Sequence, residues 1–249
     1  MKNLFETMND HISIRSYKDK EIDKENIDNI LDYLMKSPTS IGMQMASLIK
    51  VEDPNIKEKI SKVCNQDYIA TIPGLIVFVV DLYRNTKIKE EIESKKIEKV
   101  TMDKFYQAFT DGVIMATNFS NLLEAEGYGT VFLGSILNNS QKIIELLNLP
   151  KFTFPIVAIG YGYSDGSETK KKPKMDKDLR VFTDSYKILP SYLEAFKEYD
   201  EIFYKYYEEN NRDYLETFTN KAAKSIDMGL IERDEMLKVI RSQGFDLKV

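Results

Sequence analysis

The sequence is poor in the residues that many catalytic and metal centres use. It holds one cysteine, Cys64, and one histidine, His11, in 249 positions. One cysteine excludes an intramolecular disulfide and any cysteine-based zinc site. One histidine excludes the usual histidine-pair metal sites and argues against a hydrolytic triad. Basic excess is missing as well: 35 Lys and Arg stand against 40 Asp and Glu, a net charge of −5. Nucleic acid binding relies on a basic surface, so charge gives it no support. The longest apolar run lies within "IPGLIVFVVDLY", too short to span a bilayer and the right length for a buried strand. The N-terminus lacks the charged-then-apolar profile of a secretory signal, so a reduced, cytoplasmic setting is expected. No repeat is visible. No glycine-rich turn follows the early strands, which argues against a dinucleotide-binding or P-loop fold.

What is present supports a folded core, with 43% hydrophobic and 11% aromatic residues. In "KENIDNILDYL" the residues Ile27, Ile30, Leu31 and Leu34 recur at helical spacing, and Ser37-Pro38 predicts the stop. "SLIKVED", "GLIVFVVDL", "TVFLGSI" and "FPIVAIGYG" read as strands, with helices over "NIKEKISKVCNQ" and "NNSQKIIELLNLP" between them. The segment 105–127 is apolar nearly all round, which suits the middle of a domain or an interface, and Gly127 suits a left-handed cap. Residues 85–103 and 195–225 read as charged, helix-compatible excursions. The expected class is α+β, with a doubly wound parallel sheet left open.

The candidate binding residues fall in five places. In "HISIR", His11 and Arg15 lie four apart and would share a face on a helix end, while in an extended segment His11, Ser13 and Arg15 all would; either way imidazole, hydroxyl and guanidinium can converge on one anion. "SPTSIGMQ" offers Thr39, Ser40 and Gln44 in a loop leaving a helix. "NQDY" offers Gln66 and Tyr68 just before the apolar strand. "TVFLGSI" places Gly134 and Ser135 at a strand end, where a flat ligand can approach the backbone. In "KKKPK", Pro173 fixes the backbone between Lys172 and Lys174. Each segment alone also reads as ordinary turn or surface chemistry.

Taken in order, "HISIRSY", "SPTSIGMQ", "NQDYIATIPGLIVFVVD", "LLEAEGYGTVFLGSILNN", "LLNLPKFTFPIVAIGYGY" and "KPK" resemble the nitroreductase family of flavoproteins, closest to its NADPH-dependent nitroreductase and flavin reductase group. The resemblance spans nearly the whole chain. It implies a single domain over residues 1–249, an α+β fold on a central, mostly antiparallel sheet, and an intertwined homodimer that binds FMN at its interface. It implies His11 and Ser13 near the FMN phosphate and ribityl chain, Lys172 and Lys174 neutralising that phosphate, and Gln66 on the pyrimidine part of the ring. Arg15 would face the N1/C2=O edge and stabilise the reduced flavin. Phe132, Leu133, Gly134 and Ser135 would lie against the ring, and Thr39, Ser40 and Gln44 would reach FMN from the other subunit. Lys174 stands where the group usually has arginine, and Ser135 replaces the second glycine of a Gly-Gly pair. Arg212, in "EENNRDYLETF", falls where the group binds the 2'-phosphate of NADPH. The implied activity is ping-pong hydride transfer from NAD(P)H to nitroaromatics, quinones or free flavin. A flavin-binding sensor or store without turnover, and a helical interaction module without cofactor, are the rival classes.

Overall fold

The structure is a computed structural model and describes residues 2–168, 170–210 and 215–246. The chain divides into two compact units, Met1–Thr169 with Leu230–Val249, and Lys170–Gly229.

The first unit holds, in order, α1 (Leu4–Asp10), α2 (Lys24–Leu34), β1 (Ala46–Lys50), α3 (Pro54–Cys64), β2 (Gly74–Asp81), α4 (Tyr83–Glu93), β3 (Val100–Thr101), α5 (Met102–Ala125), β4 (Gly129–Leu133), α6 (Ser140–Leu146) and β5 (Thr153–Gly162). The second holds α7 (Tyr192–Ala195), α8 (Lys197–Glu209) and α9 (Phe218–Ile226). The chain then returns to the first unit with α10 (Ile231–Asp234), α11 (Met236–Ser242) and β6 (Phe245–Asp246).

The main sheet runs β1-β2-β5-β4, and every neighbouring pair is antiparallel. That excludes the doubly wound parallel alternative and agrees with the α+β class. β2 and β5 lie in the middle of the sheet, and both read as continuous apolar runs because both faces are covered. Phe78, Phe119 and Phe154 belong to the cluster on one face, and Ile60, Val77 and Ile143 to that on the other. Each such side chain, fully buried, contributes roughly 1.5–3 kcal/mol. A short parallel pair, β3 with β6, ties the C-terminal segment to the start of α5.

α5 lies against the sheet and buries Phe105, Ala108, Met115, Phe119 and Leu123. A Cβ at Gly112 would fall 2.2 Å from the Ile156 side chain, so this glycine permits the close helix–sheet approach. The helix ends as expected, with Gly127 in the left-handed region at φ +86. It is not enclosed on all sides within one chain, since Tyr106 and Val113 remain exposed. In the second unit, Tyr199, Phe203 and Tyr207 of α8 pack with Phe218 of α9.

Candidate functional site

Backbone pairing fixes the segment that carries His11, Ser13 and Arg15. After α1 the chain runs extended beside β4: Ser13 bridges Thr130, and the Ile14 amide donates to the Thr130 carbonyl at 2.8 Å. Alternate side chains of an extended segment share a face. Ile14 therefore enters the core, while Arg15 and its alternates take the other side.

His11 Nδ1 lies 2.8 Å from Glu124 Oε1 near the end of α5. The same carboxylate oxygen accepts from the Thr130 hydroxyl and, at 3.3 Å, from Ser120. The Arg15 amide donates to Glu168 Oε1 at 2.8 Å, whereas its guanidinium reaches the Ser13 carbonyl only at 3.4 Å. That guanidinium lies beside the Tyr68 hydroxyl. Burial raises the Tyr68 phenol, and the neighbouring cation opposes the rise.

Gln66 precedes the 3-10 turn Asp67–Thr71 without a side-chain capping bond, which leaves its amide turned elsewhere. Its Oε1 accepts from Tyr68 at 3.1 Å and from Ser135 at 3.2 Å. Arg15, Tyr68, Gln66 and Ser135 thus form one polar chain from the N-terminal segment to the end of β4. At that end a Cβ added to Gly134 would meet nothing within 4 Å, so the backbone there faces open space. Phe132 is 42% exposed, but Leu133 is buried in the core and can offer only its backbone. Arg15 and Tyr68, with Lys18, Lys20, Lys24 and Pro73, also line a cleft of about 740 Å³, large enough for a cofactor-sized ligand.

Thr39, Ser40 and Gln44 stand apart from this cluster. Thr39 and Gln44 line a separate cavity of about 380 Å³ with Ser47, Arg84 and Met115. A cavity of about 800 Å³ beside Lys87, Lys151, Phe152 and Arg241 contains none of the residues picked from the sequence. Within the second unit, Lys172 Nζ lies 5.6 Å from the ring centres of both Phe203 and Tyr207. Burial would raise the Tyr207 phenol, but Lys172 and then Lys221 outweigh it and the pKa is lowered. Lys174 is exposed. Arg212 lies outside the described residues.

Two functional candidates have no signal in the local sequence. Arg233 of α10 donates to the Gly134 carbonyl at 3.1 Å and to Asn138 Oδ1 at 2.9 Å, across about a hundred residues of chain. Glu124 reads as an ordinary helix-surface acid until the structure sets it against His11. Among the described residues no group of His, Cys, Asp or Glu could hold a metal ion, and no helix is long and apolar enough to cross a membrane. The arrangement offers an exposed guanidinium, an amide, hydroxyls and an open strand end, which suits a planar ligand rich in oxygen and nitrogen.

Comparison with known proteins agrees. Residues 9–163 match the model of the nitroreductase family, and residues 172–248 match that of the nitroreductase family C-terminal domain. An NADPH-dependent oxidoreductase of Staphylococcus saprophyticus is 29% identical over 248 residues, covering 98% of each chain. An FMN reductase (NAD(P)H) of Bacillus subtilis is 30% identical over 203 residues, covering 80% of this chain and 81% of its own. The solved structure of the hypothetical oxidoreductase YcnD from Bacillus subtilis superposes with a TM-score of 0.90, at 26% identity over the full length of both chains. With an antiparallel sheet, and with family models matched over residues 9–163 and 172–248, the chain belongs to the nitroreductase family.

Proposed function

We propose that this chain holds FMN and passes hydride from NAD(P)H to an electron-poor acceptor: a nitroarene, a quinone or free flavin. Flavin-dependent NAD(P)H oxidoreduction is the class to which its relatives' names point, an FMN reductase and an NADPH-dependent oxidoreductase. The observation that carries the assignment is the polar chain Arg15–Tyr68–Gln66–Ser135 beside the open backbone at Gly134.

That donor set fits FMN. Gln66 can hydrogen-bond the pyrimidine edge, and residues 132–135 provide a surface without an obstructing side chain at Gly134. His11 and Ser13 can supply donors for the phosphate, and the family resemblance assigns Lys172 and Lys174 to its charge. Bound FMN would supply the capacity to accept and release hydride. Arg15 contributes a positive charge, which stabilises the negative charge that reduction places on the ring. Arg212 is assigned to the 2'-phosphate of NADPH.

Thr39, Ser40 and Gln44 are assigned to the FMN site of a second copy. In support, they lie outside the Arg15 cluster, and large apolar side chains stand exposed nearby in the chain and on α1. Phe5 is 88% exposed and Ile41 is 69% exposed, and Leu4, Met8 and Met43 are exposed too. Exposed apolar groups of this kind mark an association surface, and a two-fold dimer would give two equivalent sites.

The visible spectrum of the purified protein, followed by anaerobic NADPH and NADH addition and an acceptor panel, tests this. Yellow protein bleached by NAD(P)H, with parallel double-reciprocal plots, is expected. Colourless protein that takes up no FMN would reject the assignment. Flavin that neither nucleotide reduces would make the chain a flavin store.

A further inference from the structure

Helix α5 carries a buried carboxylate, Asp111, that the site described above does not use. Asp111 is 1% exposed and pairs with no cation among the described residues. A charge taken out of water needs hydrogen bonds to both oxygens. Asp111 obtains them from one short stretch of chain: Oδ1 accepts from the Ser40 amide at 2.7 Å, and Oδ2 from the Met45 amide at 3.3 Å.

The backbone between those two amides is unusual. Ile41, Gly42 and Gln44 have φ of 48, 72 and 50, all in the left-handed region. For a β-branched residue such as Ile41 this is strained, and such strain persists only where surrounding structure over-determines it. Side chains of α4 and α5 do so. Asn118, also on α5, donates to the Ser37 hydroxyl at 2.9 Å. On α4, Arg84 donates to the Gln44 carbonyl, and Asn85 donates to the Met43 carbonyl at 3.3 Å. Asp111 is the only one of these that grips both ends of the turn.

We propose that Asp111 is a positioning residue for FMN: it clasps the Ser40 and Met45 amides so that Thr39, Ser40 and Gln44 are pre-set to meet the cofactor. This rests on the assignment of those three residues to the FMN site. A loop already fixed loses less conformational freedom when the ligand arrives. The carboxylate touches neither cofactor nor substrate and acts only through the loop. Because α5 also presents exposed Tyr106 and Val113, one helix carries both an open apolar face and the carboxylate that holds the cofactor loop.

The test uses the full-length protein and FMN itself. Asp111→Asn keeps the shape but replaces one acceptor by a donor. Ser40→Pro deletes the gripped amide without touching α5, and the extended Thr39 before it tolerates a following proline. Ser40→Ala controls for the hydroxyl. Asp111→Asn, and Ser40→Pro relative to Ser40→Ala, are each expected to weaken FMN binding roughly tenfold, the scale of losing a charge-assisted hydrogen bond. The visible circular dichroism of the bound flavin should change as well, with subunit mass unchanged. FMN affinity equal to wild type in Asp111→Asn, or Ser40→Pro equal to Ser40→Ala, would overturn the proposal while leaving the FMN assignment standing. If Asp111→Asn does not fold, the Ser40 pair decides. Wild-type protein that binds no FMN would reject the underlying assignment, and this proposal with it.

Discussion

Two polar segments of the first unit, residues 11–17 and 39–45, look alike in the sequence and are built by opposite means. The first is an extended edge, held by backbone pairing of Ser13 and Ile14 to Thr130. The second is a left-handed turn held by side chains of α4 and α5 that grip its backbone. The first places side chains by alternation, so its cation is presented on a rigid strand. The second depends on single distant residues, and each is a point at which it can be undone.

The largest expected effect comes from the rigid segment. Arg15→Ala should lower kcat roughly hundredfold, the scale seen when one electrostatic stabiliser of a developing charge is removed. The fold should survive, because the Arg15 side chain is exposed, its guanidinium makes only a long contact to the Ser13 carbonyl beside Tyr68, and the amide bond to Glu168 is kept in the variant. Steady-state NAD(P)H oxidation and flavin content measure it. Unchanged turnover would move the redox edge of the site away from residues 11–17.

Next in size is Arg233→Ala, which removes two hydrogen bonds from the loop after β4. FMN retention should fall roughly fivefold, with Arg233→Lys only partly restoring it, since lysine lacks the paired donors of arginine. Dialysis against FMN-free buffer reads the loss. A smaller step, roughly threefold, is expected for Glu124→Gln. It keeps the shape next to Thr130 and Ser120 but removes the charge beside His11. Retention equal to wild type would show that the His11–Glu124 pair serves the fold alone.

How far the sequence discloses all this follows from how each part is held. The central strands were legible because burial on both faces makes β2 and β5 continuous apolar runs. The alternation in "HISIR" was legible too, since pairing to β4 keeps it extended. The nearly all-round apolar pattern of α5 left two settings open, the middle of a domain or an interface, and in the single chain one face of the helix stays exposed at Tyr106 and Val113. Asp111, Arg84, Glu124 and Arg233 were illegible. Each acts on a partner far along the chain, or through backbone atoms that carry no residue-specific signal. Cys64, noted for its rarity, is simply a buried core thiol whose pKa burial raises.

The smallest effect separates the two segments by pH. Tyr17 belongs to the first, where its hydroxyl donates to the Ile14 carbonyl at 2.6 Å. Burial is the main cause that raises its pKa well above the ordinary tyrosine value, with smaller contributions from Tyr68 and Glu168 against Arg15. A raised folded pKa means that the native state keeps the proton when the unfolded chain has lost it. The stabilisation is therefore complete below about pH 10, the ordinary tyrosine value, and is lost as pH rises further. The 39–45 turn contains no tyrosine, so alkaline pH should loosen residues 11–17 first. Tyr17→Phe should cost about 1 kcal/mol at neutral pH, for the lost hydrogen bond. It should also flatten the fall of the urea midpoint between pH 9 and about pH 11. Tyr161, whose pKa burial also raises, and Tyr128, pushed up to about 12 chiefly by burial, set the background against which that flattening is read. An identical slope in wild type and Tyr17→Phe would assign the alkaline loss to other tyrosines raised by burial, Tyr68 and Tyr199 as well as Tyr128 and Tyr161, and residues 11–17 would then be no more pH-sensitive than the turn.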